Sequence, residues 1–495
     1  RMSRMTKERP MLALPEPDAV APRRRTLADY GLRGRMRLLR LVWAGAKLKT
    51  VLWAHERGWL TGGRSPSDLR RAEGARIRDE LIRLGPTFIK IGQMLSTRVD
   101  LLPVEYTEEL KELLDRVPPF PNEEAFAIVE RELGRPINEL YGFVDSFPIA
   151  AASLGQVYRA RLHSGEEVVI KVQRPGLEER IALDIATLRH LVPRLETADV
   201  LKTTDWNGIV DEFAATLADE IDYVKEVENA ETFRANFARW PSIHVPKIHH
   251  ELSTRRVITM EYIPGVKVDD HEGLRRLGLT PLGIAERLVE AYLKQLLEDG
   301  FFHADPHPGN LRVMGDGRIA FFDFGMAGRI SLDLQSQLVD AFFHIVERDW
   351  FELLRDGVKL GFLRVDEKDT EGLEEIGRRL IAQYEGLRLG DLAFRDMTYE
   401  VSEVLYRYPF QIPAQFTFIL RALTTLEGVG SKADPDFNFF LVARPYAKDF
   451  MLRREGRYLG GKLLARMIKG EQGSVDWGKA WKLAKMAWKH YTGKK

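Results

Sequence analysis

The 495-residue sequence contains no cysteine. That excludes disulfides, thiolate zinc sites, iron–sulfur clusters and cysteine nucleophiles together, and it removes any cysteine-based sign of redox compartment. No run of 18 or more apolar residues occurs, so a helix spanning a bilayer is not expected. The first residues lack the apolar core of a signal peptide, which predicts a cytoplasmic chain or one on the cytoplasmic face of a membrane. Internal repeats and low-complexity tracts are also missing. What is present is a globular composition, 44% hydrophobic and 30% charged.

Net charge is nearly absent too, at +1, but it is unevenly spread. Residues 1–70 hold 16 Lys and Arg against 6 Asp and Glu, and residues 451–495 hold 12 against 3. The body between them must therefore carry −18. Two basic ends on an acidic body predict that the ends meet an anionic partner while the body does something else.

Residues 1–30, with four prolines and Arg23-Arg24-Arg25, read as a disordered basic tail. Residues 31–144 read as a helical extension. Arg33–Leu60 is helical in pattern, Ser67 caps a helix, Pro86 takes a first helical position, Pro103 opens a helix through Arg116, and Asn122 caps one ending near Gly134. At Asp145 the period changes to that of strands, with Phe147–Ala152, Gln156–Leu162 and Glu166–Gln173. One long helix around Asp205–Arg234 follows, then strands near Lys247–Leu252 and Arg255–Tyr262. Residues 145–265 thus form a β-rich lobe and 266–450 a helical one, in which Pro281 opens a helix to about Glu298 and Asp316-Gly317 turns a hairpin. Residues 451–495 form a basic amphipathic tail. The fold class is α+β with two lobes.

The strongest chemical signal is His303-Ala304-Asp305-Pro306-His307-Pro308-Gly309-Asn310, followed thirteen residues later by Asp323-Phe324-Gly325. Phosphoryl transfer needs a carboxylate near the acceptor and two oxygen ligands that hold Mg²⁺ on the phosphates. Asp305, Asn310 and Asp323 supply these from consecutive loops around a hairpin. Upstream, Val168-Val169-Ile170-Lys171 is a strand ending in a lysine able to hold α/β-phosphates if a helix carboxylate orients it, and Glu226 is the natural partner. Met260-Glu261-Tyr262-Ile263 lies where a hinge offers backbone groups to adenine. Ala304 stands where an arginine usually reads an activation-loop phosphate, and only Met326 to Ile330 separate Gly325 from the cap Ser331. With no activation loop of usual length, a small-molecule or lipid acceptor, or water, fits better than a protein chain.

The chain resembles the UbiB/AarF family of atypical protein-kinase-like proteins. Beyond the loops above, Lys90-Ile91-Gly92-Gln93 is similar to that family's K-x-G-Q motif. Ala150-Ala151-Ala152-Ser153 is similar to its alanine-rich loop, and Glu220-Ile221-Asp222 to its E-x-D motif. The resemblance implies a bilobal protein-kinase-like fold and a site using ATP or ADP with Mg²⁺. In it, Lys171, oriented by Glu226, holds phosphates, Asp305 is the catalytic-loop carboxylate, and Asn310 and Asp323 ligate the metal. Ala150, Ala151, Ala152, Ser153, Glu261 and Ile263 surround the nucleotide, with selectivity shifted towards ADP. It also implies a lid in which Lys90, Gly92 and Gln93 meet Glu220 and Asp222. The implied role is an ATPase or atypical kinase supporting ubiquinone biosynthesis or lipid homeostasis, with quinone-biosynthesis enzymes as possible partners. A non-catalytic nucleotide-dependent scaffold and an aminoglycoside-phosphotransferase-like small-molecule kinase stay open as alternatives.

At the basic C-terminal end, Trp477, Trp481, Ala484, Trp488 and Tyr491 fall within about 80° of a helical projection, with Lys479, Lys482, Lys485 and Lys489 in another sector. This predicts peripheral attachment to an anionic membrane surface or isoprenoid lipid, or a helix docking its tryptophans on the core. Nothing resembles a base-reading module, so no nucleic-acid partner is expected. The oligomeric state is left open.

Overall fold

The computed structural model describes residues 25–57, 65–96, 98, 102–113, 119–195, 206–347, 349–362 and 414–458. Most of the proline-rich tail, part of the expected helical lobe and the Trp- and Lys-rich segment at 477–491 lie outside the described residues.

The N-terminal helices are α1 (Gly31–Glu56), α2 (Pro66–Leu84), α3 (Pro86–Leu95), α4 (Val104–Lys111), α5 (Asn122–Leu133) and α6 (Ile137–Leu140). Ser65, not Ser67, caps α2: its hydroxyl accepts the Asp68 amide at 3.1 Å and Pro66 takes the first turn. Gly85 at φ 103° turns the chain sharply into α3, which opens on Pro86 as expected. α4 stops at Lys111, short of the expected Arg116. Asn122 is the first residue of α5 and not its cap, because Pro121 occupies the cap position and the Asn122 side chain accepts the Tyr158 hydroxyl at 2.8 Å instead.

The sheet of the first lobe comprises β1 (Phe143–Val144), β2 (Ala150–Ala151), β3 (Gly155–Arg161), β4 (Glu167–Gln173) and, after β5 (Ile243–His244), β6 (Val257–Glu261). Its order is β1-β3-β4-β6, with β2 also paired to β3, and all pairings are antiparallel. Alternation along β4 sends Val168, Ile170 and Val172 into a core with Ala125, Ile128 and Val129 of α5, which leaves Lys171 on the opposite face. Two expected strands shrink. Phe147–Ala152 pairs only at Ala150–Ala151, and Lys247–Leu252 gives a single bridge, Ile248 to Met260, before a 3₁₀ turn.

A helix the sequence reading did not anticipate, α7 (Leu177–Leu195), follows β4. Its Leu177, Ile181, Ile185 and Val192 join Leu41, Phe88, Ile91, Phe213 and Leu217 in one core, so the N-terminal extension is packed into the domain. A buried ion pair at 2.5 Å, Arg37 to Asp184, ties α1 to α7. The single long helix expected at Asp205–Arg234 is two, α8 (Trp206–Glu220) and α9 (Tyr223–Phe237). Asp222 interrupts it by accepting the Val224 amide at 3.2 Å and starting a new helix.

The second lobe runs through β7 (Val266–Lys267), α10 (His271–Arg276), α11 (Pro281–Leu293), β8 (Phe301–His303), β9 (Leu311–Val313), β10 (Ile319–Phe321), β11 (Ala327–Arg329), α12 (Leu332–Glu347), α13 (Trp350–Lys359), α14 (Ala414–Ala433) and α15 (Phe439–Tyr458). α11 continues as a π-helical turn over Lys294–Asp299. β9 and β10 form the expected hairpin, with Gly317 at φ 83° in its turn. β11 pairs back onto β8, and Ser331 then accepts the Leu334 amide to start α12. The chain therefore leaves the Asp-Phe-Gly loop for the next helix with no activation loop between.

Candidate functional site

A cavity of about 1120 Å³ opens between the sheet and the helical lobe. Lys171, Glu226, Asp305, Asn310 and Asp323 all line it. Lys171 Nζ donates to both Glu226 carboxylate oxygens, at 2.7 and 2.8 Å, and stands 3.4 Å from Asp323 Oδ1. Glu226 sits in the first turn of α9, whose start Asp222 fixes. Burial draws the Lys171 ammonium towards neutrality, yet the carboxylates of Asp323 and Glu226 outweigh it and hold the pKa well above the ordinary lysine value. Burial pushes Glu226 up to about 7, with Lys171 opposing and Asp323 reinforcing the rise. For Asp323, burial also pushes upward, but Lys171 and then Lys90 hold its carboxyl below the usual aspartate value.

Asp323 has φ 75°, the one non-glycine residue in the left-handed region among the described residues. Its Oδ1 accepts the Gly325 amide at 3.2 Å, a local bond that Asx side chains make in this conformation. Behind it, His303 is fully buried, and desolvation depresses its pKa, so the ring is neutral. Nδ1 accepts the Asp305 amide at 3.1 Å, which leaves Nε2 to donate to the Asp323 carbonyl at 2.8 Å. One neutral imidazole thus ties the two catalytic-type loops together. Asn310 Nδ2 donates to the Asp305 carbonyl at 3.2 Å, and its side-chain oxygen has no hydrogen bond among the described residues. Phe324 is buried against Phe233 of α9, with ring centroids 5.1 Å apart, and Asn229 donates to its carbonyl at 2.9 Å.

The alanine-rich segment is a closed hairpin. Ala150 and Ala151 pair with β3, the Ala152 amide donates to the Gly155 carbonyl at 2.8 Å, and Arg174 Nε donates to the Ala152 carbonyl at 3.0 Å. Ser153 is fully buried. A Cβ on Gly155 would stand 2.5 Å from the Val172 carbonyl and 2.7 Å from the Tyr223 hydroxyl, so this position accepts only glycine. Glu261 and Ile263 line the cavity, but the Glu261 side chain turns away to His244 at 3.0 Å and the Lys247 amide at 3.1 Å. That leaves only its backbone for the hinge contact expected from the sequence.

Of the expected lid residues, Lys90 and Glu220 form a buried ion pair in the cavity wall. Gln93 also lines the cavity and donates to the Leu113 carbonyl at 2.8 Å. Gly92 and Asp222 act otherwise. Gly92 leaves room for Leu81 and Leu113, which a Cβ would strike, and Asp222 caps α9 and faces Arg255 at 3.5 Å.

Two further residues escaped the sequence reading. Tyr223, the first residue of α9, faces Lys171 with its ring 5.2 Å from Nζ, and its buried hydroxyl has no hydrogen-bond partner among the described residues. Arg421, from α14, reaches across to Asp305 Oδ1 at 3.0 Å.

The ABC1 atypical kinase-like domain matches residues 112–356, and the UbiB helical domain matches residues 377–438. The uncharacterised Synechocystis protein sll1770 is 41% identical over 421 residues, covering 83% of this chain and 71% of that one. This chain belongs to the ABC1/UbiB family of atypical kinase-like proteins. Another Synechocystis relative, slr1919, is 40% identical over 89% of this chain and 77% of its own length. The chloroplastic Arabidopsis thaliana protein ACTIVITY OF BC1 COMPLEX KINASE 7 is 40% identical over 81% of this chain, which spans only 58% of that relative's length. A solved Mycobacterium tuberculosis structure, of Rv3197 with erythromycin, aligns with 72% of this chain at 23% identity and a TM-score of 0.49.

The family assignment carries the kinase-like fold expected from the motifs. Among the described residues, no helix is long and apolar enough to cross a membrane. No group of three or more His, Asp or Glu side chains placed to hold a metal ion occurs among them either.

Proposed function

We propose that this ABC1/UbiB protein binds a magnesium nucleotide in the cleft and transfers its terminal phosphoryl group to water or to a small-molecule or lipid acceptor, at an anionic membrane surface, in support of isoprenoid-quinone biosynthesis or lipid homeostasis. The observation that carries it is Lys171 held at 2.7 Å by Glu226 and 3.4 Å from Asp323, in one cavity with Asp305 and Asn310.

Each group has a task in this reading. The Lys171 ammonium, kept charged by its two carboxylates, holds nucleotide phosphates. The backbone at Glu261–Ile263 offers hydrogen bonds to the adenine. Asp305 accepts the proton of the attacking hydroxyl or water. Asp323 and the free oxygen of Asn310 are hard oxygen donors that suit Mg²⁺, which takes one or two protein ligands and completes its shell with phosphates and water. A metal held there neutralises charge on the phosphate oxygens. The short path from Gly325 to Ser331, closed by β11 on β8, leaves little platform for a protein substrate.

The membrane part of the reading rests on α1. Leu32, Met36, Leu39 and Trp43 lie on one face and are 71%, 57%, 67% and 64% exposed, with Arg33, Arg35, Arg40 and Lys47 on the same helix. An exposed apolar stripe beside cations fits the surface of an anionic bilayer. ATP hydrolysis by the full chain, with and without vesicles containing anionic lipid, tests the function. Vesicle-stimulated release of phosphate that disappears in Asp323→Asn supports it. The buried Lys90–Glu220 pair in the cavity wall favours a second reading, a nucleotide-dependent scaffold for lipid intermediates or biosynthetic enzymes. Nucleotide binding without hydrolysis would select that one.

A further inference from the structure

Phosphoryl transfer spreads negative charge over the oxygens of the moving group, so a cation placed there besides the metal accelerates it. The catalytic-type loop supplies none. Ala304 is buried and uncharged, and the His307 ring is occupied within its own turn, where Nδ1 accepts the Gly309 amide at 2.9 Å. Lys171, oriented by Glu226, already has the nucleotide phosphates as its task, and Lys90 is paired with Glu220. Among the described residues, the cation placed on Asp305 is Arg421, at 3.0 Å.

Arg421 is fixed from behind. Ile419, Ala422 and Leu426 of α14 are at most 2% exposed, inside the core that α14 shares with α11. The Arg421 side chain is one-fifth exposed and lines the cavity, so a helix packed in the core delivers a cation to the site. While the guanidinium sits on Asp305 Oδ1, it occupies the carboxylate that a water or an acceptor hydroxyl has to reach. The ion pair therefore suits a resting state and not a reacting one.

We propose that Arg421 is an arginine finger supplied in cis by the UbiB helical domain. With nucleotide bound, its guanidinium leaves Asp305 for the γ-phosphate oxygens. The oxygen of water or of an acceptor hydroxyl then bonds to the γ-phosphorus, the bond from that phosphorus to the bridging oxygen breaks, ADP leaves, and the proton passes to Asp305. This gives the region matched at 377–438, which contains Arg421, a direct chemical role. The inference rests on the hydrolytic or phosphotransfer reading above.

The test uses the full-length chain and three variants, Arg421→Ala, Arg421→Lys and Asp323→Asn. Turnover is measured with and without millimolar guanidinium, and binding of MgADP is measured with and without aluminium fluoride, which mimics the transferring group. Arg421→Ala is expected to lose on the order of 10³-fold in kcat, within the range for arginine fingers, with MgADP affinity changed by less than about threefold. Guanidinium restores part of the rate in Arg421→Ala alone, which a merely structural role does not allow. The wild type binds MgADP more tightly with aluminium fluoride, and Arg421→Ala loses that gain. Wild-type turnover in Arg421→Ala, with Asp323→Asn inactive, overturns the finger and leaves the enzyme reading intact. Nucleotide binding with neither turnover nor an aluminium-fluoride gain in the wild type overturns both.

Discussion

Lys171 and Glu226 meet through two hydrogen bonds, at 2.7 and 2.8 Å, inside a cleft where Asp323 is the next carboxylate. One ammonium thus serves two acids, and the more buried of them, Glu226, titrates near pH 7.

That value fixes a sign. Glu226 binds its proton more tightly folded, at about 7, than at its ordinary value of 4.5. Its contribution to stability is therefore complete below pH 4.5 and lost as the pH rises through 7. Glu226→Gln has no such titration. The melting temperature of the wild type minus that of Glu226→Gln is expected to be smaller at pH 8 than at pH 5 in nucleotide-free protein. A difference that grows with pH contradicts the raised value.

Gly92 is expected to be a packing requirement. In Gly92→Ala the new methyl meets Leu113 and Leu81, at a cost of about 1–3 kcal/mol from overpacking. Combining it with Leu113→Ala should cost less than the sum of the two single changes, measured by urea unfolding. Strict additivity would show that Gly92 does not owe its place to Leu113.

The alanine hairpin makes a different claim. Ala152 is pinned through its amide by Gly155 and through its carbonyl by Arg174. Ala152→Gly frees the backbone to turn amides towards phosphates. The ratio of ATP to ADP dissociation constants, measured by calorimetry, is expected to shift by threefold or more. An unchanged ratio refutes a selectivity role.

For α1, Leu39→Glu and Trp43→Glu place acidic charge on the exposed stripe without touching the packed face of Leu41 and Ala44. Co-sedimentation with anionic vesicles should fall several-fold at low salt, with the melting temperature unchanged. Equal co-sedimentation assigns any membrane contact elsewhere.

How much of this was legible in the sequence depended on locality. Asp305, Asn310 and Asp323 lie within nineteen consecutive residues, and their spacing around a hairpin already encodes a shared site. Lys171 was legible as the end of a Val-rich strand, and the burial alternation of β4 then sets it opposite the core. Arg421 was invisible because over a hundred residues separate it from Asp305 and no spacing rule links a helix residue to a distant loop. The α8–α9 break was misread because the apolar period runs on across Asp222, whose capping role only the fold reveals. At Asn122 a good capping side chain lost its position to Pro121 and found Tyr158 instead. The apolar spacing of α7, by contrast, was present at Leu177, Ile181, Ile185, Leu188 and Val192 and went unread.

The central claim is that Lys171, Asn310 and Asp323 act on one magnesium nucleotide. Calorimetric titration of ATP into the full chain, with Mg²⁺ and with a chelator, compares the wild type with Lys171→Ala, Asn310→Ala and Asp323→Asn. Loss of one charge-assisted contact is worth about 1.5–3 kcal/mol, roughly 10- to 150-fold in affinity. The account predicts a weakening of that size for Lys171→Ala under both conditions, and for Asn310→Ala and Asp323→Asn only when Mg²⁺ is present. Affinities in all three variants that match the wild type, with no dependence on Mg²⁺, would contradict it.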